Sequence, residues 1–244
     1  MGFGHVQGIL ANFASGTSGT VTLTNNPTQG NLVCVCIQLN SENAPITVKD
    51  ANNNTYTQSP NSPSSNTTNN ALTAQFYLLN APANASKTIN VTWTGTNTGS
   101  GMADEFSVTG GTAAFDTDVA SSPTYTITAG NVNAPTITPS GSGELLYASA
   151  EGVGSITSPT VGGSSPANGW TGGSGGNAAG ASTGGQAEYI LSASAATAVS
   201  MTDNDATDGI ASLAMAFSFQ SSASITGIGS DLGAARSENR IIGY

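Results

Sequence analysis

Charge is what this sequence has least of. Lys and Arg number four, His one, and charged residues make up 7% of 244 residues, far below the roughly 25% of an ordinary globular chain. Lys49, Lys87, Arg236 and Arg240 are too few and too scattered to track a phosphate backbone, which excludes nucleic-acid binding. The same shortage excludes a polybasic membrane contact. No apolar run approaches the roughly 18 residues of a membrane-spanning helix. Two cysteines and one histidine cannot furnish a Cys/His zinc site. A Ser-His-Asp hydrolase needs a base to take the nucleophile's proton, and the sole histidine, His5, falls in the opening segment, a poor setting for a triad. Neither a basic n-region nor an apolar h-region begins the chain, so no secretory signal peptide is evident. The composition nevertheless suits an outward-facing protein. A protein made in a cytoplasm and released by lysis, as virion proteins are, reconciles the two.

Asn, Thr, Ser and Gly stand in for charge, and the formal net charge is −10. The apolar residues are gathered into strand-length runs, which argues against disorder. No stretch joins helical periodicity to a cap signal. The closest rival, Ile210–Phe219, reads as a strand from its neighbours.

The organising stretch is Gly30–Leu39, GNLVCVCIQL, an apolar, β-branched run read as a buried core strand. Gly143–Ala150, GELLYASA, repeats the idea. Ala74-Gln75-Phe76-Tyr77-Leu78-Leu79 is matched by Gln186-Ala187-Glu188-Tyr189-Ile190-Leu191, and Phe106 by Phe217. The offset of about 111–113 residues marks a degenerate internal duplication. Cys34 and Cys36, two apart on a strand, share a face. Their Cα atoms stand about 6.5–7 Å apart, too far for an easy bridge, and they read as buried thiols.

Alternating or apolar runs also mark strands at 19–24, 46–50, 72–79, 88–94, 103–108, 113–118, 124–128, 187–193 and 197–202, with 5–13 as an opening apolar segment. Ala51-Asn52-Asn53-Asn54 reads as a hairpin turn, because Asn tolerates positive φ. Residues 58–70 and 155–185 read as polar loops. The expectation is an all-β chain: a jelly-roll-like β-sandwich of roughly ten to twelve strands. It occupies residues 1–220, with halves at 18–110 and 130–220 that interleave, followed by a C-terminal tail over 221–244. Two adjacent sandwiches are the alternative.

Candidate chemistry is sparse. Asp104-Glu105 and Asp116/Asp118 offer paired carboxylates for glycoside hydrolysis, but adjacent strand residues face opposite sides. No catalytic residue is expected. Asp203, Asp205 and Asp208, in a loop ending at Gly209, read first as a solvated turn and second as a weak Ca²⁺ site; no other cofactor is implied. Trp170 stands alone in a small-residue loop, as a plug or as a platform for a glycan. Trp93 reads as core. In the tail, Ile225, Ile228, Arg236, Arg240, Ile241, Ile242 and Tyr244 suit either a tail packed on its own domain or frayed, or an arm that docks on a neighbour, Arg holding a carboxylate in two places.

Gly30-Asn31-Leu32-Val33, Val48-Lys49-Asp50, Asn54-Thr55-Tyr56-Thr57, Ala74-Gln75-Phe76-Tyr77 and Asn90-Val91-Thr92-Trp93 together resemble a recurrent β-sandwich module of bacterial extracellular proteins and phage virion structural proteins. The resemblance spans about residues 18–220 and departs at 49–54, where a shorter Asp-Ser-x-Gly-Asn turn is usual. It implies no active-site residue. It implies an outward-facing structural or adhesive role, on a virion or extracellular surface, with other assembly proteins or copies of the chain as partners. The expected function is a non-enzymatic capsid decoration or tail/fibre component; an extracellular carbohydrate-binding or adhesion module is the alternative.

Overall fold

The structure, a computed structural model, describes residues 2–41, 45–66, 70–120, 132–153, 160–161, 171–177, 183–202 and 210–221. Every regular element in them is a strand. The first half contributes β1 (Gly2–Thr22), β2 (Leu32–Asn40), β3 (Ile46–Asp50), β4 (Thr57–Gln58), β5 (Ser64–Asn66), β6 (Ala71–Leu78) and β7 (Thr88–Thr109). The second contributes β8 (Gly111–Ala120), β9 (Val132–Ile137), β10 (Glu144–Val153), β11 (Thr160–Val161), β12 (Thr171–Asn177), β13 (Thr183–Ala193), β14 (Thr197–Thr202) and β15 (Ile210–Ser221). Twelve of these strands form two antiparallel sheets in a sandwich-like arrangement. A seven-stranded sheet has the path β1-β7-β2-β6-β4, with β3 on β7 and β5 on β6; a five-stranded sheet runs β12-β13-β10-β15-β8. A small third sheet, β11-β14-β9, covers the outer side of the second.

Each principal sheet is drawn from one half of the chain, so the halves stack face to face instead of exchanging strands. The reason lies in how completely each half pairs itself. β2 is hydrogen-bonded between β6 and β7, and β10 between β13 and β15, so neither central strand leaves an edge for the other half to fill.

The duplication extends to backbone detail. Leu32 stands opposite Phe106 and Leu145 opposite Phe217; Cys34 stands opposite Tyr77 and Tyr147 opposite Tyr189. Gly30 and Gly143, each just before its core strand, have φ of 87° and 77°, a region that favours glycine. Each donates its N–H at 2.8 Å to a matching carbonyl, Ala81 for Gly30 and Ala193 for Gly143.

Strand alternation then sorts the core. Along β2, Val33, Val35, Ile37 and Leu39 face the interior of the first half. Leu32, Cys34 and Cys36 face the second sheet. In β10, Leu146 and Ala148 turn towards the third sheet, and Leu145 and Tyr147 towards the first. A strand buried on both faces reads as an unbroken apolar run, which is why Gly30–Leu39 dominates the sequence. Burying each large side chain stabilises the fold by about 1.5–3 kcal/mol.

The first sheet also encloses a core of its own, because β1 and β7 are single long strands that bend. The N-terminal part of β7 pairs with β3 and its C-terminal part with β2, with β1 following throughout and shifting register near Phe13, Gly16 and Ser18. The sequence reading divides β7 at residues 95–102 because GTNTGSG carries no strand signal. Those small residues instead form the bend, where Phe13 lies against Gly19 and Gly101. Trp93 is core as expected, and its Nε1–H donates to the Gly16 carbonyl at 2.9 Å.

Two loop readings are corrected. Residues 58–70 contain the last residue of β4 and all of β5, with Ser59 and Ser64 buried. Within 155–185, the described residues 160–161, 171–177 and 183–185 are strand. Both stretches are held by pairing to neighbours, which a polar composition does not advertise. The hairpin at 51–54 is present, with Asn53 at φ 66° and the Asp50 carboxyl accepting from the N–H groups of Asn52, Asn54 and Ser86.

Candidate functional site

The polar chemistry of the described residues is concentrated at the seam between the two principal sheets. Along the first sheet, the seam-facing residues of β7 succeed one another as Phe106, Asp104, Met102 and Ser100, beside Leu32, Cys34, Cys36 and Gln38 of β2. Each position two residues on brings the next side chain to the same face.

At one end, Asp104 is fully buried and is met from β1 and from β10. His5 of β1 places Nε2 3.0 Å from Oδ1. Tyr147 of β10 donates its hydroxyl to Oδ2 at 3.1 Å, across the seam. The imidazole is stacked on Tyr189 of β13, with ring centroids 4.9 Å apart and planes 11° apart, and it meets Phe106 edge-on at 5.5 Å. The His5 side chain retains 28% exposure, so this end opens to water while Asp104 and Tyr147 do not. Burial first, and the Asp104 carboxyl second, push the Tyr147 hydroxyl well above its ordinary pKa, which keeps it a donor. The same two causes raise Tyr189 and the Cys34 thiol.

At the other end, amides and hydroxyls join the halves. Gln38 Nε2–H donates to the Ala150 carbonyl at 2.6 Å, and Ser100 donates to Gln38 Oε1 at 2.9 Å. Gln75 Nε2–H donates to Ser149 Oγ at 2.9 Å and to the Leu213 carbonyl at 3.2 Å. Between the two ends lie Cys34, Cys36, Met102 and Met215, all fully buried. Both cysteines are free thiols on one face, as expected.

The remaining described carboxyls also work inward. Glu105, opposite in direction to Asp104, is fully buried and accepts from Gln7 Nε2 at 2.5 Å, Thr28 N at 2.8 Å and Asn31 Nδ2 at 2.6 Å. It fastens the chain before β2 to the edge of the sheet. Asp118 of β8 accepts from Ser59 Oγ at 2.5 Å and Asn61 N at 2.6 Å, tying the second half to a loop of the first. Asp116 accepts from Ser140 Oγ at 2.5 Å, and Glu144 accepts from Gly141 N at 2.6 Å. Burial raises the Glu144 carboxyl, helped by the neighbouring Asp116 charge. Burial opposes but does not prevent a lowered Asp116, whose hydrogen bonds from Ser140 favour the charged form. Lys49 and Lys87 are exposed, and the only ion-pair geometry among the described residues is His5 with Asp104.

Among the described residues the arrangement fastens the two sheets to each other. The imidazole's partner is a carboxyl, not a hydroxyl or thiol that it could activate. Asp104 and Glu105 face opposite sides, as their adjacency implies, while Asp116 and Asp118 bind different loops. Among the described residues no group of three or more His, Cys, Asp or Glu is placed to hold a metal ion. Trp170, the Ca²⁺ candidates Asp203, Asp205 and Asp208, and the tail residues Ile225, Ile228, Arg236, Arg240, Ile241, Ile242 and Tyr244 lie outside the described residues. The reading from sequence missed the meeting of His5, Asp104 and Tyr147, which are spread over 142 positions of the sequence. The signal it held was Asp104 itself, an acid within an otherwise strand-like run.

No family model, curated protein or solved structure matches the chain.

Proposed function

We propose that this chain is a non-enzymatic structural protein of a virion, a capsid decoration or a tail or fibre component, anchored through the segment Ile225–Tyr244 to other assembly proteins or to copies of itself. One observation carries the reading: the carboxyls whose burial the structure describes are withdrawn from the open surface, and Asp50, Asp104, Glu105, Asp116, Asp118 and Glu144 accept hydrogen bonds there. Asp50, Asp104, Glu105, Glu144 and Glu188 are buried, and Asp116 and Asp118 are half-buried. Among the described residues these carboxyls hold loops and sheets together, which suits a protein built to persist rather than to turn over a substrate. The resemblance to virion and extracellular β-sandwich modules supports the same role.

The test is deletion of Ile225–Tyr244. The truncated chain is expected to fold, with an unchanged β-type circular dichroism spectrum, and to be absent from assembled particles. Normal incorporation contradicts the anchoring role.

A second reading, an extracellular carbohydrate-binding or adhesion module, rests on Trp170, which stands alone among small residues in the sequence. A glycan array with Trp170→Ala as control decides it; no ligand for the intact chain counts against it.

A further inference from the structure

Glu144 opens β10 with its side chain buried. Its Oε1 accepts from the Gly141 N–H at 2.6 Å, but among the described residues no donor reaches Oε2, which is itself buried. An ionised carboxylate left in that state bears a desolvation penalty with no bond to offset it. Asp116 of β8 adds a second carboxyl within hydrogen-bonding reach. Two carboxylates this close do not both ionise without cost.

Backbone irregularities bring the two acids together. Asp116 is passed over where the β8–β15 register shifts, between Phe115 opposite Phe217 and Thr117 opposite Ala216. Glu144 stands at the register shift that opens the β10–β13 ladder. Bulges re-aim side chains, and here the acids come from two strands that β15 separates in the sheet. Ser140, in the turn before β10, touches both. Its N–H donates to Asp116 Oδ2 at 2.9 Å and its hydroxyl to Asp116 Oδ1 at 2.5 Å, while Oγ lies 3.4 Å from Glu144 Oε1. A hydroxyl has one proton to give, so Asp116 is well supplied with donors and Glu144 is one short.

No basic group acts on either carboxyl among the described residues; the charged neighbour of each is the other. Asp118, also on β8, is engaged by Ser59 and Asn61. On β13, Glu188 and Tyr189 stand opposite Ala148 and Tyr147, farther along β10. β9 and β15 contain no titratable residue.

We infer that Glu144 and Asp116 hold one proton between them, carried on Glu144 Oε2 and donated to Asp116, and that this shared proton latches the turn Ser140–Gly143 onto β8. Loss of the proton to water leaves two facing carboxylates, which repel and release the turn. The turn leads into the central strand, for Gly143 N–H binds the Ala193 carbonyl at 2.8 Å. Burial and then the Asp116 charge raise Glu144, while Asp116 is lowered despite burial by its bonds from Ser140. That is the division of one proton over a coupled pair. The latch is therefore closed from the folded value of Asp116, below 3.8, to that of Glu144, above 4.5, and opens as pH rises through the latter.

The experiment uses the full chain with ¹³C-labelled carboxyls, together with Asp116→Asn and Glu144→Gln. The Glu144 carboxyl shift is followed by NMR from about pH 3 to about pH 9. Its midpoint is expected above 4.5, and in Asp116→Asn it is expected to fall by about half a pH unit or more. Hydrogen exchange, corrected for the intrinsic effect of pH, reads the latch at the Ser140 and Gly141 amides. Protection is expected to drop at least about tenfold between about pH 5 and about pH 8 in the parent. In Glu144→Gln the side-chain amide donates to Asp116 at every pH, so protection is expected to hold. A Glu144 midpoint at or below 4.5, or one that Asp116→Asn leaves in place, overturns the shared proton. Parent protection that is the same at both pH values, or that Glu144→Gln loses equally, overturns the latch.

Discussion

The Tyr147 hydroxyl reaches across the seam between the halves to donate to Asp104 at 3.1 Å, with both side chains fully buried. A buried carboxyl that loses a donor bears the desolvation penalty with less compensation. Tyr147→Phe is therefore expected to destabilise the chain by about 1–3 kcal/mol in urea unfolding. In a double-mutant cycle with Asp104→Asn the two losses are expected to be less than additive. Fully additive losses show that the contact carries no coupling between the halves.

Gly101 is held small by packing. A Cβ there lies 2.5 Å from Phe13 Cζ and 2.6 Å from Val21 Cγ2, both in the closed core of the first half. Gly101→Ala is expected to cost about 1–3 kcal/mol through overpacking, and Phe13→Leu in the same chain to recover part of it. A neutral Gly101→Ala, measured by thermal or urea unfolding, contradicts this account of the bend in β7.

The thiols give a chemical readout of the seam. Cys34 and Cys36 are fully buried, and burial followed by the Asp104 charge raises Cys34 well above an ordinary thiol. Alkylation at pH 8 is expected to run at least about a hundredfold slower than for a free thiol and to become rapid only on unfolding. Prompt labelling of the native chain by mass spectrometry places these residues somewhere other than a closed seam.

Glu144 and Asp116 give opposite pH dependences. Burial raises Glu144, so its contribution to stability is complete below the ordinary carboxyl value of 4.5 and is lost as pH rises through its folded value. Asp116 is lowered despite burial, so its contribution is present above 3.8 and is lost as pH falls through its folded value. Glu144→Gln keeps the shape of the protonated acid and does not titrate. The variant is expected to gain stability relative to the parent between about pH 4 and pH 7. Urea midpoints whose difference stays constant across that range rule the account out.

The central strands were legible because they are buried on both faces. β2 and β10 carry apolar residues at every position from Leu32 to Ile37 and from Leu145 to Ala148, and the matching glycines before them carry the turn chemistry with them. The bends of β1 and β7 were not legible. Gly16, Gly95 and Gly99 read as breaks, although the pairing of the two strands with each other continues past them. The joining of the halves was misread for a related reason. Alternation along a strand says that two faces are apolar, but not whether the second face meets its own half or the other. Of the candidate site, the shared face of Cys34 and Cys36 followed from a period of two, whereas the clasp of His5 on Asp104 needed a pairing between residues nearly a hundred positions apart.

Taken alone, the order of residues determined an all-β chain with two related halves, buried thiols and no basic surface, because period, composition and spacing are local properties. Tertiary structure decided which faces meet, and so turned isolated acids into fasteners. A carboxyl's role depends on the donors that surround it, and those arrive from strands distant in the chain.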